Sequence, residues 1–198
     1  MAFFHGLLLA LGLILPLGVQ NVFIFNQGAV QPRFLKAIPA VITAGLCDTL
    51  LILMAVLGVS VAVLKFSSIK IILLTIGIIF LVYMGIITWR NNNGGITGEK
   101  RAFSTKKQII FAASVSLLNP HAIMDTIGVI GISSLKYNGF DKFLFTFATI
   151  SASFVWFLFL SISGRLVQKV GGKIIPILNK LSAIIMWASA VYLILSFT

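Results

Sequence analysis

Asn119-Pro120-His121-Ala122-Ile123-Met124-Asp125 sets a helix-breaking Asn-Pro pair, a histidine and an aspartate inside a segment that is otherwise apolar from Ile109 to Leu135. About 20 apolar helical residues cross the hydrocarbon core of a bilayer, so the cluster falls near the midplane of such a segment. A broken backbone and a carboxylate are both costly at that depth, and where they occur the ordinary reason is function.

Composition supports a bilayer as the surroundings. The chain has 198 residues, 59% hydrophobic and 10% charged, where soluble domains carry about 25% charged residues. Its mean hydropathy is +1.10, that of an integral membrane protein. Four acidic residues, Asp48, Glu99, Asp125 and Asp141, stand against fifteen Lys and Arg, for a net charge of +11. On a soluble chain this excess would suggest nucleic acid. Here the basic residues lie in connections between apolar runs, where they set topology, and nucleic acid is not an expected partner. The one cysteine, Cys47, has no internal disulfide partner and makes no metal site by itself. Met1 to Leu15 is apolar, lacks a preceding basic residue and runs on past any cleavage point. It reads as a first spanning helix and not as a signal peptide.

Six apolar runs are long enough to span: about Ala2–Phe25, Ala37–Leu64, Ile69–Trp89, Ile109–Leu135, Phe143–Ile162 and Ile174–Phe197. The expected fold is therefore an all-α integral membrane protein with six transmembrane helices in one domain, 1–198. Polar connections separate the runs: Gln27–Lys36, Lys65–Lys70, Arg90–Lys107 with its Asn91-Asn92-Asn93-Gly94-Gly95, the turn at Tyr137-Asn138-Gly139, and Gly171-Gly172. The first, third and fifth connections share one side and hold eleven Lys and Arg; the other side holds four, Lys65, Lys70, Lys136 and Lys142. The positive-inside rule then puts both termini outside and the long Asn/Gly loop in the cytoplasm.

The two halves resemble each other. Pro16-Leu17-Gly18-Val19-Gln20-Asn21 in the first span parallels Pro120 to Asp125 in the fourth, each a mid-span proline with a polar residue five positions later. Ala40-Val41-Ile42-Thr43-Ala44 parallels Ala148-Thr149-Ile150-Ser151-Ala152, and Val82-Tyr83 parallels Val191-Tyr192. A duplicated unit of three spans must enter the membrane in the opposite sense. The expectation is two inverted three-helix repeats, about 1–90 and 108–198 around a loop at about 90–107, with helices 1 and 4 interrupted. In secondary transporters, interrupted helices at corresponding positions mark the binding site.

Mid-helix proline removes a backbone hydrogen bond. The result is either a plain kink or a half-helix whose free N–H groups and positive dipole end face an anion, such as an amino acid's carboxylate. An aspartate at a helix centre costs about 2.5–3.5 kcal/mol on insertion, so Asp48 and Asp125 should face the bundle interior or a water-filled cavity. Apolar surroundings favour a neutral carboxyl and a nearby cation favours the charged one, which makes proton–cation exchange natural at such a group; a bond to a neighbouring helix is the plainer reading. Gln20, Asn21, Asn119, Thr43, Thr126, Ser151 and Ser153 fall at the same level, and Asn21 and Asn119 stand beside the breaks. His121 is either a proton relay or a packed neutral residue. Trp156, Trp187 and Tyr83 are expected buried, as packing or as a cover for a cation. No paired-cysteine, HExxH, phosphate-loop or Ser-His-Asp pattern is present, so neither a metal, a cofactor nor an enzyme is expected.

Pro16 to Asn21, Asp48, Asn119-Pro120-His121 followed by Asp125-Thr126, Thr149 to Phe157 and Met186-Trp187 together resemble the LysE/ArgO family, over essentially the whole chain. The resemblance implies export of basic amino acids, lysine or arginine, across the bacterial inner membrane, driven by membrane potential or a proton gradient. The family's neutral-amino-acid branch typically has an aromatic residue near the position of Asp125, so Asp125 favours a cationic substrate. The family commonly has a second proline after Pro-Leu-Gly, where this chain has Val19.

The reading is a secondary exporter of lysine or arginine with its site between helices 1, 2, 4 and 5. Asp125 meets the substrate's cation. Asp48 is a second ligand or the proton-coupling group, and Asp125 shares that coupling role. Pro16, Gly18, Gln20 and Asn21, with Asn119, Pro120 and His121, hold the α-carboxylate end, and Ser151 and Trp156 complete the site. Protons and the lipid bilayer are the other partners, and nothing bars a homo-oligomer. The alternatives are export of neutral amino acids or of a divalent cation, and a passive channel. Hard cations want about six oxygen ligands, more than this midplane offers.

Overall fold

A backbone inside a bilayer must satisfy its own hydrogen bonds, and helices do so within each segment. In the computed structural model of the chain, every regular element among the described residues is a helix. Those residues are 1–15, 18–58 and 102–170, with scattered helical positions between 71 and 90 and between 180 and 195. Helix α1 is Ala2–Ile14, α2 is Val19–Val30, and a 3-10 turn at Phe34–Lys36 leads into α3, Ile38–Val56. Then come α4, Thr105–Leu117; α5, Pro120–Asp125; a π-helical turn at Thr126–Gly131; α6, Ile132–Ser134; and α7, Gly139–Val170.

Local chemistry sets these boundaries. Pro39 lies in the first turn of α3, where no intrahelical N–H bond is lost. Gly58, at φ +76°, stops that helix in the left-handed conformation that glycine adopts without strain. Ser104 caps α4 by accepting the Lys107 N–H. Gly139, at φ +52°, turns the chain into α7.

Helix α7 is the spine. Its 32 residues extend about 48 Å, more than the roughly 30 Å of hydrocarbon requires. Arg165 and Lys169, expected in the connection after Ile162, therefore lie inside the helix. Helices α1 and α2, bent 84° to one another, pack on successive halves of α7. A Cβ on Gly6 would meet the Phe145 carbonyl, one on Gly28 the Ser161 carbonyl, and one on Gly164 the Phe25 carbonyl. Small residues let the backbones touch, which is how helices associate in lipid. The connection expected from Gln27 also starts later, because α2 continues to Val30.

Helix α3 and the fourth apolar run, α4 to α6, lie side by side in the same direction. Gln108 bonds to Lys36 O at one end, and Gly131 packs on Ala55 at the other. One core gathers Phe23, Ala44, Val115 and Phe157, from α2, α3, α4 and α7. A second joins Ala2, Ile52, Ile130 and Phe145. Outward, α3 shows Ile42, Leu46, Leu50, Leu53 and Leu57 at helical spacing, the apolar stripe that lipid would cover.

Helices α3 and α7 are each long and apolar enough to cross a membrane, and α1 with α2 qualifies as a bent pair. The third and sixth expected spans lie for the most part outside the described residues, as do the Lys65–Lys70 connection, residues 91–101 of the long loop, Gly171-Gly172 and Tyr192. Where those spans are described they pack together: the Trp89 and Trp187 rings are 5.5 Å apart. Tyr83, expected buried, is 60% exposed. Depth within a span does not determine which face a residue occupies, and Tyr83 is on the outer one.

Candidate functional site

The first span breaks where its proline predicts. Helix α1 closes at Ile14, and α2 opens after Gly18, which is extended at φ −85° and ψ 176°. A helix end leaves carbonyls without intrahelical donors. Asn21 answers one of them, its Nδ2 donating to Ile14 O at 2.7 Å. The first turn of α2 is thus tied across the break to the last turn of α1. A Cβ on Gly18 would meet no atom within 4 Å, so the break faces open space. Pro16 lies outside the described residues.

Beside the break, Asp48 sits near the middle of α3, on the side opposite Leu46 and Leu50. Its Oδ1 accepts a hydrogen bond from Gln20 Nε2 at 3.0 Å. The buried Ser153 of α7 lies next to the same carboxyl. Three elements thus converge on one acid group, and Gln20 and Ser153 are both buried. Bonds from neutral donors orient the carboxyl and leave any charge on it without a counter-ion.

The fourth apolar run breaks between Leu117 and Pro120. Asn119 O accepts the Ile123 N–H at 3.1 Å, so the new helix starts on Asn119. Asp125 ends α5 and opens the π-helical turn, a local widening that recurs at functional sites. Gln108 and Gly131, on either side of this break, pack on the two ends of α3, so the break lies between those ends, as Asp48 does.

Gln20, Asn21, Gly18 and Asp48 thus come together around the first break. The serine beside Asp48 is Ser153, two residues along from Ser151 and on another side of α7. Thr43 and Thr149 donate within their own helices, to Pro39 O and Thr146 O. Trp156 packs on the Phe23–Phe157 core and stacks on Phe159 at 5.5 Å. Its buried indole N–H has no acceptor among the described residues. The side chains of Pro120 and His121 lie outside the described set. Asp141 is exposed in the first turn of α7. Among the described residues, no three of His, Cys, Asp or Glu gather as a metal site.

Four polar residues escaped the sequence reading: Gln27, Gln31, Gln108 and Arg165, joined at one end of the bundle. A signal existed for two of them. Gln20, Gln27 and Gln31 recur at intervals of seven and four, which is one face of a helix.

Fold and site define the class: a multi-pass helical membrane protein built around a buried polar site. Within that class the chain belongs to the LysE family, described as LysE type translocators, whose profile matches residues 11–196. The resemblance read from the motifs is thus shown along nearly the whole chain. The chain is 54% identical over 193 residues to the "Putative amino-acid transporter YisU" of Bacillus subtilis (strain 168), covering 96% of this chain and 88% of that one. It is 29% identical over 191 residues to the "Arginine exporter protein ArgO" of Enterobacter sp. (strain 638), covering 93% and 89%. To the protein of the same name in Klebsiella pneumoniae (strain 342) it is 32% identical over 164 residues, covering 81% and 76%. No solved structure matches the chain.

Proposed function

We propose that this chain exports basic amino acids, arginine or lysine, from the bacterial cytoplasm, coupled to the proton-motive force. The observation that carries the reading is Asp48, a carboxyl held by Gln20, with Ser153 beside it, against a broken helix. Such a group can hold either a proton or a cation, which is what coupled exchange requires. Asp125, where the second break meets the π-helical turn, supplies a second carboxyl, so that two acids offset the two cationic groups of arginine or lysine. The N-terminal end of α2 at Gly18, with Asn21 beside it, suits the α-carboxylate. Relatives named as arginine exporters support this choice of cargo. The six spans form two inverted repeats in the inner membrane, with both termini outside and the more basic connections within.

The test is counterflow in proteoliposomes with a panel of labelled amino acids. Arginine or lysine should exchange and neutral amino acids should not. Collapsing the proton gradient should slow net export. Asp125→Asn should reduce exchange of the basic amino acids by about tenfold, the scale of one charge-assisted hydrogen bond. Exchange of neutral amino acids by the unmodified chain, or undiminished arginine and lysine exchange by a correctly inserted Asp125→Asn, would overturn the assignment. Conductance without saturation would identify a channel instead.

A further inference from the structure

The buried polar residues that this site does not use meet where α2 ends and α4 begins. Gln31 Nε2 donates to Gln27 Oε1 at 3.0 Å and to Phe103 O at 2.9 Å. Gln108 Nε2 donates to Lys36 O at 2.9 Å and to Phe103 O at 3.0 Å. Arg165 reaches over from α7, with Nη1 donating to Gln31 O and Nη2 to Pro32 O, the latter at 3.0 Å. Four separate pieces of chain are laced together here. Between this lacing and Asp48, along α2, stand the rings of Phe23, Phe103 and Phe111, with Phe23 and Phe111 only 4.5 Å apart. Aromatic rings and then amides thus follow one another from Gln20, the partner of Asp48, to this end of α2.

Two features of the lacing point to a ligand. Gln108 is 1% exposed, yet its Oε1 has no donor among the described residues. A buried acceptor left in that state is costly, and any donor that reaches it is favoured. In addition, among the described residues the Arg165 guanidinium bonds to neutral carbonyls. Carbonyls orient a guanidinium without neutralising it, so a second cation can compete for them.

We propose that Arg165, Gln31 and Gln108 form the inner gate of this exporter and a transient site for the cationic head of the cargo. The cargo's guanidinium or ammonium takes the Gln31 and Pro32 carbonyls from Arg165 and adds the Gln108 oxygen. The lacing then loosens and the Phe23–Phe111 ring contact opens toward Asp48. This rests on the basic-amino-acid reading, because the competing donor is the cargo's side-chain cation, which a neutral amino acid lacks.

The test uses the full chain in inside-out vesicles with a membrane-impermeant maleimide. Two reporters are used separately: the native Cys47, which is buried, and Ala112→Cys in a Cys47→Ala background, Ala112 lying in the core beyond the gate. Arginine should speed labelling of at least one reporter several-fold. Citrulline, of the same shape with a neutral ureido group, should not. Arg165→Ala should speed labelling without cargo and remove most of the arginine effect, and Arg165→Lys should fall between. Equal labelling with arginine and citrulline, or labelling indifferent to Arg165→Ala at both reporters, overturns the gate. Arginine exchange is measured in the same vesicles: exchange without gated labelling sinks the gate alone, and no exchange of arginine or lysine sinks the export reading with it.

Discussion

Two buried polar clusters in this bundle are built from opposite charges. In one, the Asp48 carboxyl receives a bond from the neutral amide of Gln20, with Ser153 beside it. In the other, the Arg165 guanidinium gives bonds to the neutral carbonyls of Gln31 and Pro32. These bonds make neither group part of an ion pair, and their depths differ. Asp48 is near the middle of α3, behind a stripe of leucines. Arg165 is near the end of a helix longer than the hydrocarbon core, where a long side chain reaches water or headgroups. Similar hydrogen bonding therefore has different consequences. A mid-bundle carboxyl needs a proton or a foreign cation to settle its charge, whereas a guanidinium at the end does not. Depth separates a group that must exchange partners from one that can serve as a latch.

The largest break in this comparison should come from Asp48→Asn. The amide still offers an oxygen to Gln20, so the fold should hold, while the exchangeable charge is gone. Counterflow of the basic amino acids should fall on the order of 100-fold, the scale of truncating one partner of a buried charged contact. Unchanged counterflow, with thermal unfolding in detergent unchanged as well, would make Asp48 a structural bond and erase its contrast with Arg165.

Gly164→Ala should come next, and should strike both clusters together. Helix α2 carries Gln20 to one and Gln31 to the other, and a Cβ on Gly164 would run into the Phe25 carbonyl of that helix. Separating two backbones in a packed interface costs about 1–3 kcal/mol. Thermal unfolding should show the loss, and counterflow and cysteine protection should weaken in step. A variant that lost counterflow but kept its melting temperature would show that α2 moves as part of the transport cycle and is not merely supported by α7.

Much of this arrangement was legible in the residues themselves. Composition alone required helices, and Pro16 and Pro120 located both interruptions, because proline removes a bond that no neighbour on the same strand of helix can replace. Asp48 and Gln20 were readable as interior groups because charge and amide are expensive in lipid. The gate was not readable in full. Arg165 sits 134 residues from Gln31, and bonds to main-chain carbonyls leave no complementary residue in the sequence. Helix α7 also outran its apolar pattern, since a helix anchored by Gly6, Gly28 and Gly164 contacts can continue past the point where hydropathy falls. The outward turn of Tyr83 was hidden for a third reason: depth along a span says nothing about azimuth around it.

Azimuth also decides the smallest effect. Both Ser151 and Ser153 are apt for hydrogen bonding by type and depth, but successive residues turn about 100° around a helix, so two positions apart they face different ways. Of the two, Ser153 is the one beside the Asp48 carboxyl. Removing that polar neighbour, with the acid still held by Gln20, should cost about 1 kcal/mol. Ser153→Ala should therefore raise the half-saturating arginine concentration roughly fivefold in counterflow, while Ser151→Ala leaves it unchanged. Because the two substitutions have the same chemistry and neighbouring depths, their difference reports orientation alone. If Ser151→Ala proved the more harmful, the cargo would lie on the other side of α7, and the carboxyl it meets first would be Asp125 rather than Asp48.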